Sequence, residues 1–164
     1  MTDRTSTTKA RVGRPDPTAG LAVLFSIRRP ELRQRGNLFV TALLLRLAGV
    51  GLLAWVGYIH WYLWHLGYKD IPTDGPFFLV DGIAGVLLAV VLLTWPRPLV
   101  GLLSAGFVAS TILALVVSLW VGLFGFQESI HASYVVQALV LEVLAVIVLA
   151  FWAVIAAWPV GRRV

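Results

Sequence analysis

After residue 37 the chain is mostly four long apolar runs, at about residues 38–65, 77–95, 99–124 and 133–158. A membrane-spanning helix needs about 20 largely apolar residues. Backbone inside hydrocarbon must satisfy its own hydrogen bonds, and a helix does so. The pattern therefore predicts an all-α integral membrane protein, an up-down four-helix transmembrane bundle over residues 37–160. Composition agrees: 59% of the 164 residues are apolar and 13% charged, against roughly 25% charged in soluble domains. The link Pro96-Arg97-Pro98 is so short that helices 2 and 3 must be antiparallel neighbours.

Charge is unevenly placed. Eight of the thirteen Lys and Arg lie before residue 36, and the segment 1–36 is otherwise rich in Thr, Ser, Gly and Pro. It reads as a mostly disordered basic tail. Within it, residues 21–28 fit a short interfacial helix that Pro30 ends. Nucleic-acid binding would want stacking aromatics among the basic residues, and this segment has only Phe25. Arg97, Arg162 and Arg163 fall on the same side of the bundle as this tail, whereas Lys69 stands alone on the other. Positive residues favour the cytoplasm, so both termini are expected to be cytoplasmic. The loops after helices 1 and 3 are then expected outside a bacterial plasma membrane.

Three charges lie inside the spans. Arg46 is about 12 Å into helix 1, Glu142 about 13 Å into helix 4 from the opposite side, and Asp81 about 6 Å into helix 2. Charge in lipid is costly without a partner, so the matching depths predict an Arg46–Glu142 pair. The plainer reading has Arg46 snorkelling inward, Glu142 protonated and Asp81 facing headgroups.

His60, His65 and His131 are the candidates for a metal or haem. Five residues at about 100° each put His60 and His65 about 140° apart on a helix, whereas metal pairs on one face use i, i+3 or i+4. His131 is on the same side of the membrane and is a candidate second ligand with either, with Asp70, Asp74 and Glu128 as candidate oxygen ligands. The alternative is histidines within the interfacial aromatic belt of Trp55, Tyr58, Trp61, Tyr62 and Trp64. On that reading no metal and no cofactor is expected. The absence of Cys excludes disulfides and thiol chemistry, and no GxGxxG, P-loop, HExxH or GxSxG pattern is present. In helix 3, Gly101, Ala105 and Ala109 recur every four residues, a small-residue stripe that suits close helix packing.

Gly67-Tyr68, Ile71-Pro72-Thr73, Gly75-Pro76 and Phe78-Leu79, with Gly106-Phe107 and the run Leu119 to Phe126 (LWVGLFGF), carry a likeness to known proteins. Over about residues 45–150 the chain resembles a group of small four-helix bacterial membrane proteins of unknown function. The resemblance implies fold and location and no activity. Glu142 sits where that group tends to carry an acidic residue. Asp74 stands where an apolar residue is expected, and Asp81 where Asn or Gln is expected, so no mechanism through either is expected of the group.

The sequence thus points to a non-enzymatic structural or accessory subunit. Its partners are the lipid bilayer and other membrane proteins or a second copy of itself, and no nucleic acid is among them. The rival readings are a small transporter or proton-coupled carrier using Glu142 and Arg46, and a redox protein holding haem or quinone near the outer aromatics.

Overall fold

The computed structural model describes residues 36–158. The basic tail and the interfacial helix expected at 21–28 lie outside the described residues. Four helices follow in order: α1 (Gly36–Leu66), α2 (Asp74–Thr94), α3 (Pro98–Trp120) and α4 (Val135–Ala157), with a short 3-10 turn at Tyr68–Asp70. All four are long and apolar enough to cross a membrane. There is no strand among the described residues, only an isolated bridge between Leu123 and Phe126.

Side-chain placement is inverted relative to a water-soluble bundle, which would carry polar residues on its outer faces. Leu44, Val80, Leu113 and Phe151 are exposed, whereas His60, Asp74, Ser104, Thr111, Ser118 and Glu142 are buried.

The helix ends follow from local chemistry. Pro98 opens α3 at a position where a missing N–H costs nothing. That helix stops at Trp120, four residues before the expected end, because Gly122, Phe124 and Gly125 turn to positive φ. Leu123 and Phe126 close the turn with two mutual backbone hydrogen bonds of 2.7 and 2.8 Å. Helix α2 starts at Asp74, three residues before the expected start. Asp81 is therefore two turns inside the helix and not one.

Close packing sets the register of α1 on α2. A Cβ on Gly57 would meet the Gly82 carbonyl oxygen at 2.8 Å, and one on Gly85 would meet the Gly57 Cα at 2.9 Å. The two backbones touch, an approach that small residues permit. The expected stripe on α3 holds only in part. Gly101 lies under the Trp152 ring of α4 and Ala105 is buried, but Ala109 is exposed. The buried face of α3 instead runs through Ser104, Val108 and Thr111.

Helix α1 packs on α2 and on α4, and α3 packs on α4. Contacts between α2 and α3 are sparse in spite of their three-residue link. The half of the bundle nearest that link is filled by an apolar core that includes Leu53, Leu92, Val108, Leu149 and Trp152. The other half, at the end carrying the α1–α2 and α3–α4 loops, is not filled.

Candidate ligand cavity

A cavity of about 380 Å³ occupies the loop-end half of the bundle. Its walls come from all four helices, and most are apolar or aromatic. Among the described residues its ionisable lining groups are His60, Tyr68, Asp74, Asp81, Glu128 and Glu142, with no Lys or Arg.

The placement of these groups follows from helical spacing. Asp74, Phe78 and Asp81 stand at i, i+4 and i+7 of α2, one stripe of a helix, and all three line the cavity. On α3, Thr111 and Ser118 are seven residues apart and both are buried. On α4, Val135, Ala138 and Glu142 make the equivalent stripe.

His60 and Glu142 are the centre of the site. His60 Nδ1 lies 2.9 Å from the Val56 carbonyl. A carbonyl only accepts, so Nδ1 carries the proton, and Nε2 is turned toward Glu142 Oε1 at 3.9 Å. Glu142 is only 2% exposed, and its Oε2 has no hydrogen-bond partner among the described residues. The Thr111 hydroxyl lies beside Glu142 and donates to the Val108 carbonyl at 2.8 Å. Asp81 is within electrostatic reach of both His60 and Glu142. Nearer the loops, Asp74 is buried and its Oδ2 also lacks a hydrogen-bond partner among the described residues.

The loops close over this end. The Tyr68 hydroxyl donates to Glu128 Oε2 at 2.5 Å, and the Ser129 N–H donates to Glu128 Oε1 at 2.9 Å. Tyr68 packs on Phe78 with ring centroids 4.4 Å apart. Phe77 of α2 stacks on Phe124 of the α3–α4 loop at 5.5 Å. Burial, and then the hydrogen bond to Glu128, push the Tyr68 phenol above its ordinary range.

The structure does not pair Arg46 with Glu142. Arg46 Nε donates to the Leu92 carbonyl at 3.1 Å, and its terminal nitrogen donates to the Leu93 carbonyl. These carbonyls are left over at the C-terminal end of α2, where a cation is favoured. Fourteen residues of helix separate Arg46 from His60, about 21 Å along α1, and Glu142 stands beside His60. The depth argument fails because it measures from opposite ends of helices of unequal length: α1 has 31 residues and α4 has 23.

The three histidines are not brought together. His65 is exposed between Trp61 and Trp64, as an interfacial residue would be, and His131 is exposed in the α3–α4 loop. No group of three His, Asp or Glu side chains among the described residues is placed to hold a metal ion.

Sequence reasoning singled out Asp81 and Glu142 but left Asp74 in a loop and gave Tyr68 no role. The spacing of Asp74 to Asp81 would have revealed the stripe, once the helix was taken to begin at Asp74.

Chemically, the cavity offers buried carboxyl groups, a histidine ring nitrogen turned toward one of them, and aromatic walls. No hydrogen bond links a serine or threonine hydroxyl to His60 among the described residues, so the pattern of an activated nucleophile is not there. Protein-family models, curated proteins and solved structures were each compared with this chain, and none matches it.

Proposed function

We propose that this chain is a non-enzymatic, multi-pass accessory protein of a bacterial plasma membrane that holds a small molecule in the loop-end cavity. The observation that carries this reading is the shape of that cavity. It is lined by polar groups at one end of the bundle and stops at the packed core of Leu53, Leu92, Val108 and Leu149. A pocket of about 380 Å³ falls in the range of small-molecule sites, roughly 300–1,000 Å³. A carrier would want polar groups continuing through the other half. There the only buried polar side chain in α3 is Ser104, and Arg46 is engaged with the end of α2. With Lys and Arg assigned to the cytoplasm, the pocket belongs to the outer leaflet. The exposed apolar faces suit lateral contact with lipid and partner helices.

Thermal stability of the purified full-length protein in mild detergent, measured against neutral, anionic and cationic amphiphiles, tests the reading. At least one class should raise the melting temperature of the wild type. It should fail to do so in Ala138→Leu and Ala114→Trp, which fill the cavity. If no class stabilises the wild type, the ligand-holding role is wrong and a purely structural role remains.

A further inference from the structure

The chemical class of the occupant can be read from the lining, given the ligand-holding role just proposed. We propose that the cavity takes a small organic cation: a protonated amine on an apolar, ring-sized body, with its nitrogen seated against Glu142 and Asp81.

A carboxyl oxygen of Glu142 carries the argument. Glu142 is 2% exposed and lines the cavity, and its Oε2 has no hydrogen-bond partner among the described residues. Burial without a partner disfavours the charged form of a carboxyl group, so a ligand that brings both a positive charge and a donor is what would hold it ionised, as an acceptor only. An ammonium group supplies up to three donors and no acceptor. It also brings a permanent positive charge, which no Lys or Arg among the described residues supplies to the lining. His60 does not take that place. Its Nδ1 proton is committed to Val56, and its Nε2 stops 3.9 Å short of Glu142. Glu128 is already engaged by Tyr68 and by the Ser129 N–H.

Other classes fit less well. An anion would face four carboxyl groups, with no Lys or Arg among the described lining residues. A neutral apolar molecule would leave the buried oxygen of Glu142 unsatisfied, which is costly. A bare metal ion needs its ligands converging, and no triad converges here. Asp74 and Asp81 are seven residues apart on α2, about 10 Å, which suits a body carrying its charge at one end. Phe77, Phe78 and Phe124 offer aromatic faces, which attract organic ammonium groups.

The test uses three probes of similar shape: phenethylamine, 2-phenylethanol and 3-phenylpropionate. Their binding is measured by calorimetry on the full-length protein in nanodiscs. The amine should bind about tenfold or more tightly than the alcohol or the carboxylate, as a charge-assisted contact would give. Glu142→Gln should weaken the amine by a similar factor and leave the alcohol unchanged. Asp81→Asn serves the same purpose if Glu142→Gln does not fold. Asp70→Asn, exposed and outside the cavity, should change nothing. Equal binding of all three probes, or amine binding that survives both carboxylate changes, overturns the cation assignment while the ligand-holding role stands. If the amine does not bind, the assignment falls. The broader role falls with it only if no neutral or anionic amphiphile binds either.

Discussion

The Tyr68 hydroxyl donates a 2.5 Å hydrogen bond to Glu128, sixty residues further along the chain. It joins the α1–α2 turn to the α3–α4 loop across the mouth of the cavity. Tyr68→Phe should remove a charge-assisted bond worth about 1–2 kcal/mol at a half-buried site. Detergent unfolding should show that loss, and protease cleavage at Lys69 should quicken. No change in either would mean that the bond does not hold the loops.

The same pair sets an alkaline limit. The fold favours the neutral phenol, because burial and Glu128 raise its pKa. This contribution is complete below the ordinary tyrosine value of about 10 and is lost as pH climbs above it. Stability of the wild type should therefore fall above pH ~10, and Tyr68→Phe should show less of that fall. Identical alkaline profiles for the two proteins would refute the assignment.

Glycines at the α1–α2 contact should not tolerate a methyl group. Gly57→Ala and Gly85→Ala each place a Cβ against backbone at under 3 Å, which must push the helices apart at a cost of about 1–3 kcal/mol. Gly51 has open space around its Cβ position. Gly51→Ala should be neutral or stabilise by up to about 1 kcal/mol through helix propensity. Comparing the three melting temperatures checks this, and equal effects at Gly51 and Gly85 would contradict it.

Arg46 should behave as a cap and not as an ion-pair partner. Arg46→Met should destabilise by about 1–2 kcal/mol through the loss of its bonds to the α2 carbonyls. Combined with Glu142→Gln, the losses should add within about 0.5 kcal/mol, as distant sites do. A coupling energy well above that would put the two residues back in contact.

Membrane orientation has its own measurement. Reporter fusions at the C-terminus and within residues 70–74 should report opposite sides, with the C-terminus cytoplasmic. A C-terminus found outside would reverse the assignment made from Lys and Arg.

Much of this protein is legible in its sequence, because apolar run length and turn residues act locally. The four helices and their order follow from hydropathy alone. The ends drift where backbone conformation decides, as at Gly122, Phe124 and Gly125. The loop after α1 is expected to be ordered by Pro72 and Pro76, and it is hydrogen-bonded from Gly67 to Gly75. Glu142, Asp81 and His60 stand out one by one, as ionisable groups within apolar helices.

Which of those groups meet is a different matter. Periodicity fixes the angle of a side chain around its own helix, but not how far that helix slides along its neighbour. That slide is set by contacts such as Gly57 against Gly82 and Gly85 for α1 on α2, and Gly49 against Leu149 for α1 on α4. They bring Glu142 to His60 and leave Arg46 at the far end of α2. The partners of Arg46 are backbone carbonyls, which every residue possesses and no sequence pattern marks. The cavity exists because α2 and α3 make few contacts while α1 and α4 hold them both, a balance of side-chain volumes over four helices that no single segment contains. The sequence by itself determined the helices and the residues with chemical potential; the tertiary structure alone decided the register that turns three of them into a site.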